Sequence, residues 1–187
     1  MNPKLLLLSL LAAFLMLMAA GSTLASSSAS KQHVTAKTAT RKPVRKAMPK
    51  VDATLVRRLR RTVWHWQAVM GKRRTTVKLS LRSVSALRYW RRQARSVVRV
   101  ASHPPHKAGW LCIHRYEGSW GDSSDPYWGG LQMDRGFMSA YAPGELLRRG
   151  WADRWTALEQ MWVAERAHRS GRGYGPWPNT ARACGLL

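Results

Sequence analysis

Acidic residues are almost missing from the first part of this chain. Residues 1 to 108 contain 23 Lys and Arg and a single acid, Asp52, whereas residues 109 to 187 contain nine Arg, no Lys and eight acids. Nearly all of the net charge of +23 therefore belongs to the N-terminal part, and attraction to a polyanion is a property of that part alone. Cysteine is scarce too: Cys112 and Cys184 are the only two. Without a CxxC pair or a closely paired histidine they do not make a metal-ligand set, and His103, His106, His114 and His168 show no ligand spacing. No motif implies a cofactor, and none is expected. No cysteine lies near residue 25, so lipid attachment at a cleaved N-terminus has no acceptor. Internal repeats are absent, as is an apolar run long enough to span a bilayer: Leu5 to Ala20 is sixteen residues, short of the roughly 20 that a spanning helix needs.

That run has another use. Lys4 gives it a positive start and Thr23-Leu24-Ala25 ends it on small residues, the pattern of a cleaved export signal over residues 1–25. A retained anchor is the alternative. The mature protein is then expected to be secreted or cell-wall associated. In an exported chain an even cysteine count favours a Cys112–Cys184 disulfide over two buried thiols, and closing such a loop contributes roughly 4 kcal/mol on the chain-entropy model.

The rest divides by composition. Residues 26–50 are Ser, Thr, Ala and Lys with almost nothing large and apolar, which predicts a disordered basic tether. In 51–103, Leu55, Leu59, Val63 and Trp66 recur at helical spacing among arginines, and Leu81, Val84 and Leu87 repeat it, with Ala86 and Trp90 nearby. Two basic amphipathic helices joined around Gly71 to Ser80 are expected. Pro104-Pro105 stops the second. Residues 109–187 carry the composition of a small globular domain. A helix over Trp110 to Tyr116 delivers Glu117 at its end, where Gly118 terminates it. Gly121 to Gln132 is turn-rich and suits a hairpin or irregular loop. Thr156-x-x-Glu159 has capping-box spacing and opens a helix through Leu158, Met161, Trp162 and Glu165 that stops at Gly171. Gly173 to Pro178 reads as loop. The fold class expected is α+β, mainly α.

Within this domain the stretch WLCIHRYEGSWGDSSDPYWGGLQ (Trp110 to Gln132) sets one carboxyl group, Glu117, among aromatic residues. A carboxyl group held against rings loses hydration, which favours the protonated form that a general acid needs. Trp120, Tyr127 and Trp128 fit equally as core rings or as platforms for a sugar face, and Gln132 has the donors and acceptor for an N-acetyl group or for buried backbone. Trp162 reads as core, and Glu145, Glu165 and Arg166 as solvated or salt-bridged.

Residues 110–187 resemble the transglycosylase-like domain of actinobacterial resuscitation-promoting factors, a branch of the lysozyme-like superfamily. The resemblance lies in Cys112 upstream of Glu117-Gly118-x-Trp120, in Tyr127-Trp128-Gly129-Gly130-Leu131-Gln132, in Gln160-x-x-Val163-Ala164-Glu165-Arg166, and in Gly175-Pro176-Trp177-Pro178 with Cys184. Two features depart from the family pattern: Cys112 sits five residues before the glutamate instead of next to it, and only Gly118-Ser119 separate Glu117 from Trp120. The resemblance implies a small lysozyme-like, mainly helical domain that cleaves peptidoglycan glycan strands, with Glu117 catalytic and Trp120, Tyr127, Trp128 and Gln132 along the substrate groove.

Glycosidases generally need a second carboxylate as nucleophile or base. Asp122 and Asp125 read as turn residues, which leaves Asp134 as the one open candidate, presented by a strand. Failing that, one acid acts alone, as in lytic transglycosylation. The competing classes are a wall-glycan binder without turnover and a nucleic-acid binder built on the Arg- and Trp-rich helices. Export argues against nucleic acid and for anionic cell-envelope polymers as the partner of the basic half. Nothing points to an oligomer, so a monomer is expected.

Overall fold

The structure, a computed structural model, describes residues 50–187. The expected export signal and nearly all of the expected tether lie outside the described residues. Seven α-helices follow: α1 (Ala53–Val69), α2 (Val84–Ala101), α3 (Lys107–Glu117), α4 (Arg135–Tyr141), α5 (Gly144–Leu147), α6 (Ala157–Ala167) and α7 (Pro178–Ala183). The fold is mainly α. Among the described residues, β pairing is confined to one isolated antiparallel bridge between Trp128 and Met133. None of the described helices is long and apolar enough to cross a membrane.

The two basic helices pack side by side and run in the same direction, because the segment after Gly71 returns along α1, and they share a small core: Val56 and Val63 from α1 meet Ala86, Trp90 and Ala94 from α2. Their starts are capped by short polar side chains, as helix ends require. Asp52 accepts from the Thr54 amide at 2.7 Å, and Ser83 from the Ala86 amide at 3.0 Å. The only acid of the first 108 residues is thus a helix cap. The connection after Gly71 is pinned back onto α1, where Trp64 Nε1 donates to the Thr75 carbonyl and the Gln67 amide pairs with Thr75 on both sides.

The C-terminal ends of both helices enter the larger core. Val69, Met70 and Ala101 are buried together with Trp110, Ile113, Leu131, Met138 and Trp162. Trp162 Nε1 donates to the Ala101 carbonyl at 2.8 Å, and Arg169 and Arg166 donate to the carbonyls of Met70 and Ala68. His65 adds an ionic clasp, with Nδ1 2.7 Å from Glu145 and Nε2 2.9 Å from Glu159. Residues 50–187 accordingly lie within one compact unit.

The capping box at α6 is present in both directions between Thr156 and Glu159. Past Ala167 the helix widens into a π turn over His168–Arg172 and ends on Gly171, whose φ of 97° breaks the helical series. Trp162 is core. Glu165 is not solvated: it is completely buried and bonded to His106 and Trp110. Gly173 to Trp177 is irregular chain as expected, with the Trp177 ring buried, while Pro178 opens α7, a position where proline's missing amide costs nothing.

Candidate functional site

Helix α3 is held at both ends. At its start no side chain of its own caps the free amides. Buried Glu165 from α6 supplies the missing acceptor, taking the His106 amide at 2.7 Å, His106 Nδ1 at 3.1 Å and Trp110 Nε1 at 2.9 Å. A carboxylate at a helix N-terminus is favoured by the orphan amides and the helix dipole. At its other end Glu117 is the last helical residue and Gly118 the cap. The disulfide Cys112–Cys184, with Cα atoms 6.0 Å apart, ties α3 to the end of α7. Thr180 on α7 then reaches Glu117: its hydroxyl donates to Oε1 at 2.7 Å, with the Trp177 carbonyl 3.4 Å away as a second acceptor.

Glu117 opens into a cleft of about 290 Å³ lined also by Tyr127, Gln132, Asn179, Thr180 and the 176–178 turn. That volume lies near the lower bound of ordinary ligand pockets. The loop carrying Tyr127 and Gln132 is shaped by Gln160, fully buried on α6. Its Oε1 accepts from the Gly130 amide at 2.9 Å, while Nε2 donates to the carbonyls of Trp120 and Ala152, both at 2.8 Å. Side chains at Gly129 and Gly130 would collide with Gln160 and with His114 and Trp120 respectively, so both glycines are needed for this approach. Trp177 Nε1 donates to the Leu131 carbonyl at 2.6 Å and fastens the tail to the same loop.

Of the residues singled out in the sequence, Tyr127 and Gln132 stand beside Glu117 and two others do not. Trp120 is turned away to stack on His114, centroids 3.9 Å apart and 22° between planes. Trp128 is 5% exposed and belongs to the core. Fewer rings therefore surround the Glu117 carboxyl than the order of residues suggests. The aromatic surface in the cleft is Tyr127, 48% exposed, and the edge of Trp177. Asp134 is not presented by a strand: it is the N-cap of α4, accepting from the Phe137 amide at 2.7 Å.

The remaining carboxylates of the region are occupied. Asp125 pairs with Arg135 at 3.3 Å, well exposed. Asp122 accepts from the Ser124 amide at 3.1 Å and from Gln132 Nε2 at 2.8 Å. The Ser124 backbone bond, followed by side-chain bonds from Ser124 and Gln132, holds the Asp122 carboxyl below its ordinary range. Gln132 sits at φ 46°, a left-handed conformation uncommon for a non-glycine residue. Its second donor bond goes to the Gly129 carbonyl at 3.0 Å. Both donor bonds face the loop, which leaves the amide oxygen as the acceptor available to the cleft.

Sequence reasoning overlooked Thr180 and Asn179. A partial signal was present: Thr180 lies four residues, about one helical turn, before Cys184, so pairing Cys184 with Cys112 brings the helix that carries Thr180 to the helix that ends at Glu117. Among the described residues no group of three or more His, Cys, Asp and Glu is placed to hold a metal ion. No family model matches the chain, and neither curated proteins nor solved structures include a match.

Proposed function

We propose that the protein is an exported lytic transglycosylase that cleaves the MurNAc–GlcNAc bond of peptidoglycan, with Glu117 as its single general acid and base. The observation that carries this reading is that, among the described residues, Glu117 is the one carboxylate lining the cleft, while Asp122, Asp125 and Asp134 are committed to loop, surface and cap bonds. A hydrolase of either stereochemistry would call for a second free carboxylate. One acid suffices if the substrate supplies its own nucleophile.

In that sequence Glu117 donates its proton to the glycosidic oxygen as the C1–O4 bond breaks. The resulting carboxylate takes the proton of the muramic 6-hydroxyl, and O6 closes onto C1 to leave a 1,6-anhydro end. The acid is regenerated and water is not consumed. Gln132 supports the substrate class, because its free amide oxygen suits an acetamido N–H, and Tyr127 offers a ring to a sugar face. Export rests on the N-terminal pattern and is compatible with the disulfide.

The test is digestion of purified peptidoglycan by the full chain and by Glu117→Gln, with mass analysis of the released fragments. Anhydro-muramic ends from the parent and none from the folded variant support the reading. Reducing ends point to hydrolysis, and release of nothing by the parent points to a glycan-binding protein without turnover.

A further inference from the structure

Apart from His65, every basic residue on α1 and α2 is arginine, and the helix pair has no carboxylate to spare for them. Asp52 caps α1, and the sequence offers no other acid before Glu117. The C-terminal acids do not compensate, since among the described residues no arginine of α2 lies within 4.0 Å of a carboxylate. Arg88, Arg91, Arg92, Arg95 and Arg99 are all exposed. Four of them, Arg88, Arg92, Arg95 and Arg99, follow the i, i+4, i+7, i+11 rule for one helix face. Their row runs about 16 Å along the axis at the α-helical rise of roughly 1.5 Å per residue, the length of several successive charges on a linear polymer and far more than a single anion.

We infer that this face of α2 is a docking surface for a phosphodiester polymer of the cell envelope. Planar guanidinium forks meet phosphate oxygens two at a time, which an ammonium does not. A lipid surface fits less well. Interfacial helices turn Trp, Phe or Leu outward, whereas Trp90 is 1% exposed and Trp64 lies under the guanidinium groups of Arg60 and Arg74. The surface is not a loose arm: Trp162, Arg166, Arg169 and His65 fasten the helix pair to the body that holds the cleft. A docked polymer strand therefore sets where Glu117 stands on the wall. The identity of the polymer rests on the export and wall-cleavage reading; the presence of a polyanion surface does not.

The experiment measures binding of the full chain to poly(glycerol phosphate) across a salt series. In the combined variant Arg88→Gln, Arg92→Gln, Arg95→Gln, Arg99→Gln, affinity should fall at least tenfold. The slope of log affinity against log salt should lessen by about 3, at roughly 0.7 per lost contact to a single strand. Cleavage of a short soluble glycan should stay at the parent rate, and Glu117→Gln should bind the polymer as the parent does. Unchanged binding by the arginine variant would overturn the proposal, as would equal affinity for polyglutamate of matched length or tighter binding to phosphatidylglycerol vesicles. Failure of the parent to cleave glycan would sink the catalytic reading and leave the binding result intact.

Discussion

The hydroxyl of Thr180 donates to Oε1 of Glu117 across a separation of 63 residues, at 2.7 Å. A hydroxyl has one hydrogen, and while it points at Oε1 that oxygen is an acceptor, so the exchangeable proton of the acid is left to Oε2. Thr180 is thus a positioning residue for the proposed proton transfers. Thr180→Val keeps the shape and removes the bond. It should lower kcat about tenfold or more, the equivalent of a charge-assisted hydrogen bond of roughly 1.5–3 kcal/mol, with little change in KM. Thr180→Ser should restore most of the loss. Steady-state kinetics on a soluble glycan decides the matter: equal kcat in all three proteins would refute the role.

Reducing the Cys112–Cys184 bond releases a loop spanning a 72-residue separation. Loss of roughly 4 kcal/mol is expected from chain entropy, and thermal unfolding of the Cys112→Ser, Cys184→Ser variant should come about 10 °C lower. Because the bond joins the helices carrying Glu117 and Thr180, activity should fall more steeply than the folded fraction. Calorimetry alongside an activity assay separates the two effects.

Gln160 makes four hydrogen bonds from a fully buried position. Gln160→Leu keeps the bulk but strands the Gly130 amide and the carbonyls of Trp120 and Ala152, at a cost of about 2–4 kcal/mol. Chemical denaturation measures it, and a loss below 1 kcal/mol would show that the loop finds other partners.

The clasp at His65 makes stability depend on pH. The hydrogen bond to Glu159 raises the His65 imidazole above its ordinary value near 6.5, against the opposing effect of burial, and the Glu145 charge adds to it. Burial would raise the Glu159 carboxyl, yet bonds from His65 and Arg149 outweigh that and hold it far below the usual carboxylate range. A raised histidine stabilises most below the unfolded value and loses its contribution as pH climbs through the folded one. A depressed carboxylate contributes above about 4.5 and loses its share as pH falls. Stability should therefore be greatest between about 4.5 and 6.5 and decline above that interval. In His65→Gln the decline on the alkaline side should disappear from urea midpoints measured across pH.

Much of the architecture can be read from local pattern. Helical spacing places α1 and α2, the Thr156–Glu159 box starts α6, and Gly118 ends α3 at Glu117, because these are decisions made within one or two turns of chain. The charge asymmetry and the lone cysteine pair are equally plain in the composition. Tertiary packing decided the rest, since alternation of rings and acids along a loop does not say which way each one faces. Stacking on His114 withdraws Trp120, the Met133 bridge and the core take Trp128, and a free amide at the start of α4 claims Asp134. The approach of α7 to α3 put Thr180 on Glu117, and burial turned Glu165 from a surface acid into the anchor of the helix that bears the site. Contacts between residues far apart in the chain depend on how whole faces pack, and that information is spread over the entire core.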